Sequence, residues 1–569
     1  MSDPIRRRLR HGALGAVLVV AATSFLLGIR WGLPSRAADA YLFGDQPPWP
    51  GATIVRLAPP ESDDRGADVD ANPIVSRDAA VPLNQNDAQR GEIVRRYRLF
   101  SYQPDEMITF KSLSRIVANR GDPRLYQYGG LWVYPVGALL KLASVVGYVD
   151  LRSDQAYYLD HPEAFARFYV IARLYAACWG IVGAWAIFWI VRRISGGLLL
   201  PTAAGFCFGL MPVVINMAHE AKPHLPGAVL VLLTVMAAAR YAETGATRWV
   251  AAAGAACGAA FGMILVGAIA FAVLAVMALL RHDAMQRRLI VLGVSVNVAL
   301  AVYVVTNPFV IINGLARPER LRSNVGNTTA MYPTSAGGVA NAGWLVVEGA
   351  SPVVAGLGVA GGFVLIIMAI RRKLGRACGD ACPGRGDVGW LIAAPAVLIA
   401  FPFVAFAADK PAEYARFALV LDLALLVAAF AGIGRIRSSR GRALLSIVLV
   451  ATTAAAGWPY VRGFLNDSHP LTSRLRAAEE LKRRISGGER TVTLLAEPAP
   501  YACPPIDLFR CQLLLAPAKA APAEPVAGGL SVRPDPARRG NPISWANVRF
   551  AVGDDSPTRP PAAATLSSP

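Results

Sequence analysis

Charge is scarce in this 569-residue chain: Asp, Glu, Lys and Arg make up 17% of it, against about 25% in an average soluble protein. A soluble fold of this size would lack polar surface, and a disordered chain is excluded by 54% hydrophobic residues and a mean hydropathy of +0.41. Acidic residues are the scarcer sign, 38 against 57 Lys and Arg, for a net charge of +19. Such a surplus suits nucleic acid when it gathers on a polar domain, but here the basic residues stand between apolar runs. Cysteine is sparse too, seven in all, which excludes a disulfide scaffold. Cys178, Cys207 and Cys257 fall inside apolar runs and read as small core residues. Cys378 and Cys382 form a lone C-x3-C without the second pair that a zinc site needs. Cys503 and Cys511 lie in a polar C-terminal segment and can pair only outside the cytoplasm.

What the chain has instead is apolar length. About 20 consecutive apolar residues cross a bilayer core, and such runs fall at 12–30, 166–191, 197–217, 225–241, 248–264, 265–280, 288–306, 344–370, 389–408, 415–434 and 441–459. A further run, 129–148, carries Lys141 in its middle and Trp132, Tyr134 and Tyr148 toward its ends, the pattern of a helix that lies at the interface or re-enters. The breaks at Arg192-Arg193, Arg240–Arg248, Arg281–Arg288, Arg371–Arg376 and Arg435–Arg442 are basic, and those around His219, Asn313 and Lys410 are mixed. The positive-inside rule makes the basic breaks cytoplasmic. That alternation closes with eleven crossings if 129–148 does not cross; otherwise 129–148 crosses and a short run such as 248–264 does not.

The sequence therefore predicts an all-α polytopic membrane protein of the cell (inner) membrane, N-terminus cytoplasmic and C-terminus extracytoplasmic. Its parts are an N-terminal anchor span over 1–30, an extracytoplasmic loop with juxtamembrane helices over 31–165, a transmembrane core over 166–460, a small extracytoplasmic α/β segment over 461–515 and a flexible Pro/Ala-rich tail over 516–569. The first span has a second reading as a cleavable signal peptide ending near Ala38-x-Ala40, but the many spans after it favour a retained anchor. In the C-terminal segment, Leu471, Leu475, Ala478, Leu481 and Ile485 mark an amphipathic helix, and Thr491–Ala496 a strand.

The polar constellations fall on the outer face. Gln103-Pro104-Asp105-Glu106-Met107 opens a helix predicted to run from Asp105 to about Asn119. Its acids suit the positive end of a helix as caps, or offer a carboxylate at the membrane surface to take a proton from an acceptor hydroxyl. The turn His219-Glu220-Ala221-Lys222-Pro223-His224 is either a solvated turn or a functional one, since such groups at an interface are costly unless paired or used. With Asp105 and Glu106, its His219, Glu220 and His224 suggest a divalent metal or acceptor site. Thr306-Asn307-Pro308-Phe309 ends a helix before a loop with Arg317, Arg320 and Arg322. In Glu413-Tyr414-Ala415-Arg416-Phe417, Arg416 is a snorkelling anchor or a clamp for a lipid phosphate. Asp422, an acid inside a span, is a functional candidate or a structural partner.

In order and topology these marks resemble the GT-C superfamily of lipid-carrier-dependent glycosyltransferases, and within it the bacterial branch related to protein O-mannosyltransferases and aminoarabinose transferases. The likeness runs over most of 90–435: Pro104-Asp105-Glu106, then Asp122-Pro123 followed by Tyr126-Gln127-Tyr128-Gly129-Gly130-Leu131-Trp132-Val133-Tyr134, Ala172-Arg173-Leu174, the turn at 219–226, Thr306–Phe309 and Glu413–Phe417. It implies a GT-C-like bundle, a polyprenyl-phosphate sugar as donor, a lipid, glycan or protein acceptor, and inversion at the anomeric carbon. It makes Asp105 the acid of the acceptor and metal site, Glu106 its partner, and Arg416 the group facing the donor phosphate. Two departures stand out. The turn has Pro223-His224 where the family has Pro-Asp, so Glu220 or His224 would substitute as ligand. Gly262-Met263-Ile264-Leu265 lacks the family's Lys, so Lys222 or an Arg of 317–322 would supply that charge. Tyr126, Tyr128 and Trp132 line the sugar or lipid entrance on this reading, or are plain interface aromatics.

A transporter or flippase is the competing class, but it calls for charged or helix-breaking residues at mid-bilayer in matched halves, and the ionisable residues here crowd the outer ends. A non-catalytic scaffold presenting the C-terminal segment is a third. The net charge itself is chiefly topological: the N-terminus and five inner loops hold 20 Lys and Arg against five acids, +15 of the +19. That distribution predicts membrane lipids as partners and no nucleic acid.

Overall fold

A computed structural model describes residues 3–59, 80–281, 284–322, 338–375, 388–408, 410–485, 490–495, 500–516, 529–534, 542–554 and 564–565. Cys378, Cys382 and much of the tail after 516 lie outside them. The chain forms two compact units: a bundle unit of Met1–Leu27, Arg115–Val136 and Arg173–Val461, and a juxtamembrane unit of Gly28–Ser114, Gly137–Ala172 and Arg462–Pro569.

The protein is a multi-pass helical membrane protein. Among the described residues, seven helices are long and apolar enough to cross: Arg7–Leu26, Pro162–Ser195, His224–Thr244, Met285–Thr306, Gly389–Ala407, Ala412–Ile433 and Ser439–Asp467. Two more predicted spans are bent pairs. Leu199–Leu210 and Pro212–Ala218 meet at 58°, where Pro212 removes a helix donor and forces Met211 into extended geometry. Gly338–Ala350 and Pro352–Ile367 meet at 111°, across Ser351 at φ 82° and Pro352. Counting each pair as one span gives nine rather than the expected eleven. The difference lies in runs 248–264 and 265–280, which form a 17-residue helix, Thr247–Met263, and a short 3-10 and α-helical stretch, Leu265–Leu280. The 129–148 run contributes a 16-residue helix, Gly130–Val145.

Small residues set the closest helix approach in the bundle. A Cβ added to Gly254 would lie 2.4 Å from the Ser295 carbonyl oxygen, one on Gly258 2.2 Å from that of Ala299, and one on Gly262 2.4 Å from the Thr306 hydroxyl. This four-residue spacing lays one face of Thr247–Met263 directly against the backbone of Met285–Thr306.

In the juxtamembrane unit, six strands run in the order β1-β3-β2-β4-β5-β6: β1 Val81–Pro82, β2 Arg490–Leu494, β3 Cys511–Leu515, β4 Leu530–Pro534, β5 Phe550–Asp554 and β6 Ala564–Thr565. The central three are parallel, and the outer pairings are antiparallel. Alternate residues are buried, Val492 and Leu494 in β2, Leu530 and Val532 in β4, Phe550 and Val552 in β5, as a sheet with one inward face requires. Strands β4 to β6 thus fall inside the stretch from 516 read as a flexible tail; its short alternating segments are each too brief to stand out from the Pro/Ala background. The amphipathic helix is Ser473–Ile485, burying Leu475, Ala478 and Leu481, while Leu471 precedes it and is exposed. Asn84 ties β1 to the sheet, bonding the carbonyls of Leu508 and Cys511 and accepting from Leu513 N. Cys503 and Cys511 are buried free thiols.

Candidate active site

The motifs strung along the bundle sequence converge in space. Tyr128 forms an isolated antiparallel bridge with Ile264, and Gly129 N donates to Met263 O at 3.0 Å. One residue on, Gly130 N donates to Asn307 Oδ1 at 2.8 Å, and Asn307 Nδ2 reaches back to Gly262 O at 3.3 Å. A Cβ on Gly129 would stand 1.9 Å from Gly262 O, so only glycine permits this approach. Asn307 caps the end of Met285–Thr306 just before Pro308 starts the next helix. His224 stands edge-on to Tyr128 at 6.1 Å and to Phe417 at 5.3 Å. His224 and Arg416 then line one cavity of about 30 Å³ with Gly227, Ile264 and Phe417.

The polar turn is held by buried partners rather than by solvent. Lys222 Nζ lies 3.1 Å from Glu220 Oε2, with neither side chain more than 2% exposed, and Asn216 Nδ2 donates to Glu220 Oε1 at 2.9 Å. The two His219 ring nitrogens sit 2.8 Å from the carbonyl oxygens of Ile215 and Leu27. Burial pushes its pKa down to about 4, against two carbonyls that favour the protonated ring. Arg416, 9% exposed, donates to Glu413 O and lies 4.8 Å and 5.2 Å from the Tyr414 and Phe417 ring centroids.

The tyrosines expected at an entrance have separate surroundings. Tyr126 OH donates to Asp122, which also receives Asn313 Nδ2 at 2.9 Å and faces Arg320 at 3.7 Å. Burial and the Asp122 carboxylate push the Tyr126 phenol up. Trp132 is fully buried against Tyr175, whose hydroxyl donates to Leu131 O at 3.1 Å. Trp132 is therefore packing, while Tyr126 belongs to a polar network with Asp122, Asn313 and Arg320. The network is local on the Asp122 side, four residues from Tyr126, but its Asn313 arm has no sequence signature.

Asp105 and Glu106 belong to the juxtamembrane unit. Their helix is shorter than expected, Met107–Ser114, so both acids precede it. Glu106 is fully buried and accepts from the Ser101 hydroxyl, whereas Asp105 is half-buried, with its backbone N bonded to Gln103 Oε1 at 2.6 Å. Among the described residues, no three or more His, Cys, Asp or Glu side chains gather in a way that could hold a metal ion. Of the expected metal set, Asp105 and Glu106 belong to the juxtamembrane unit and His219, Glu220 and His224 to the bundle unit.

Fold and site together describe a multi-pass membrane protein whose helices approach closely at glycines. Among solved structures, the chain is similar to ArnT from Cupriavidus metallidurans bound to undecaprenyl phosphate, at 15% identity and TM-score 0.45, over 84% of this chain and 97% of that one. It is also similar to the oligosaccharyltransferase AglB from Archaeoglobus fulgidus in complex with an inhibitory peptide and a dolichol-phosphate, at 12% identity and TM-score 0.40, over 84% and 62%. A third is the arabinofuranosyltransferase AftD from Mycobacteria, at 16% and TM-score 0.35, over 68% and 27%. No family model matches the chain, and no curated protein matches it.

Proposed function

We propose that this protein is a membrane glycosyltransferase that moves a sugar from a polyprenyl-phosphate donor to an acceptor on the extracytoplasmic face. The observation that carries the reading is the chain of contacts among four separate motifs of the bundle: Gly130 N bonds Asn307, Tyr128 stands edge-on to His224, and His224 shares a cavity with Arg416 and Phe417. Such convergence is what a site built at the mouth of a membrane bundle requires, and what a solvated turn or a snorkelling anchor does not.

In this mechanism the acceptor hydroxyl attacks the anomeric carbon opposite the phosphate. The new C–O bond forms as the bond to phosphate breaks, so the configuration inverts. The lipid phosphate leaves with the electron pair, and Asp105 takes the hydroxyl proton. Arg416 offers its guanidinium to the departing phosphate. Lys222 already carries Glu220 as counter-charge and serves the site by fixing the turn. No step is routed through a metal.

The test is transfer from a labelled polyprenyl-phosphate sugar by membranes holding the native protein or Asp105→Asn. Loss of about 10²-fold or more in transfer, with insertion and stability unchanged, is expected. Unimpaired transfer by Asp105→Asn refutes the base assignment; accumulation of intact donor inside vesicles, without sugar release, refutes the transferase and favours a transporter.

A further inference from the structure

The juxtamembrane unit encloses a second cavity, of about 530 Å³, well inside the roughly 300–1,000 Å³ of small-ligand sites. Its polar lining includes Arg30, Ser35, Tyr148, Glu163, Arg167 and His469. These residues come from the points where apolar helices end. Arg30 follows Asp3–Leu26, Tyr148 follows Gly130–Val145, Glu163 and Arg167 occupy the first turns of Pro162–Ser195, and His469 follows Ser439–Asp467. Chain continuity alone therefore sets this cavity at the level of a membrane interface. Leu33, Ala166 and Val170 supply apolar wall, and Leu142, Val145 and Val146, just before Gly147 and Tyr148, are 60%, 73% and 72% exposed.

The charges are mixed and largely unspent. Arg30 is exposed and makes no hydrogen bond or ion pair among the described residues. Arg167 uses one NH group on Tyr148 O, at 2.9 Å, and leans over the Tyr148 ring at 5.6 Å. His469 Nδ1 accepts from Leu471 N at 3.2 Å, which leaves the proton of the neutral ring on Nε2. Asp467 is already taken up by Arg474, Ser473 and Asn547 N. Glu163 has only a long contact from Arg36 N, at 3.5 Å. Two guanidiniums and one carboxylate around a polar cavity with an apolar edge match a headgroup bearing both a phosphate and a primary ammonium.

We infer that this cavity binds the headgroup of a zwitterionic aminophospholipid, its phosphate toward Arg30 and Arg167 and its ammonium toward Glu163. A purely anionic headgroup would leave Glu163 opposed to its charge, and a trimethylammonium headgroup cannot donate hydrogen bonds to that carboxylate. The site stands independently of the proposed transfer, since none of its groups serves in that reaction.

The test is binding to the full-length protein in detergent, read by native mass spectrometry with dihexanoyl phosphatidylethanolamine, the corresponding phosphatidylglycerol and phosphatidylcholine, free phosphoethanolamine and inorganic phosphate. Phosphatidylethanolamine should bind at least about tenfold more tightly than the other two lipids. Arg30→Ala, at an exposed position that leaves the fold intact, should weaken it about tenfold. Glu163→Gln should abolish its advantage over phosphatidylglycerol while thermal stability stays unchanged. Equal binding of the three lipids, or no effect of Arg30→Ala, overturns the proposal. Free phosphoethanolamine or inorganic phosphate binding as tightly as the lipid also overturns it, by showing a soluble ligand instead.

Discussion

His219 sets two electrostatic effects against each other in a way that the sign of a pH dependence can decide. Both ring nitrogens lie 2.8 Å from carbonyl oxygens, which favours an imidazolium; complete burial favours the neutral ring. If burial wins, the folded pKa is about 4, while the unfolded chain keeps the ordinary value of about 6.5. Between these two values the unfolded state binds more protons, so stability is full above about 6.5 and is lost as pH falls toward about 4. Linkage with those two values puts the loss at about 2 kcal/mol between pH 7 and pH 5. That window lies above the range where most carboxylates titrate. The assay is equilibrium unfolding of the purified protein in mixed micelles with added SDS, at pH 7 and pH 5, beside His219→Gln, which keeps an amide donor but cannot titrate. The native protein should lose about 2 kcal/mol more than the variant across this window. Equal losses in the two proteins, or a native protein that gains stability on acidification, would refute the dominance of burial and make His219 a charged tie between carbonyls.

Two packing predictions follow from close approaches. Gly258→Ala should destabilise the protein by about 1–3 kcal/mol, because its Cβ would meet the Ala299 carbonyl oxygen at 2.2 Å; Gly293→Ala, with nothing within 4 Å, should not, and thermal denaturation in detergent reads both. Gly349→Ala would bring a Cβ to 2.8 Å from Asp422 Oδ2, and Asp422→Ala should relieve about 1 kcal/mol or more of that penalty in the double variant; strictly additive losses would show that the carboxylate is not the obstacle.

How far the sequence could be read depended on the range of the interaction. Span positions rest on local apolar length, and Leu26, Pro162, Thr244 and Ser439 bound helices close to where the runs begin or end. The corner at Met211-Pro212 is local too, because proline acts on its own neighbours. The shortfall at 247–280 is not: Thr247–Met263 is full of small residues because it lies against Met285–Thr306, a constraint invisible within the run itself. The same holds for Asn84, whose sheet partners are more than 420 positions away, and for Asn313, 191 positions from Asp122. Asp422 could be recognised as an intramembrane acid, but its closeness to Gly349 at the Ser351 corner could not.

The polar end of the bundle narrows the chemistry further than its motifs did. A buried group that already has its counter-charge gains little from a passing substrate, because binding must first break what holds it. Glu220 and Lys222 are paired at no more than 2% exposure, His219 is between two carbonyls, and Trp132 is sealed by Tyr175. Glu106 is enclosed with Ser101. Asp105 is half-buried in the juxtamembrane unit, and the Arg416 guanidinium rests on two rings beside a cavity of the bundle unit. An acid able to accept a proton and a cation suited to an oxyanion are the two functions that the proposed displacement of a lipid phosphate needs. The remaining polar groups then act through geometry, holding the turn that presents His224 to Tyr128 and Phe417, and their substitution should be felt first as lost stability.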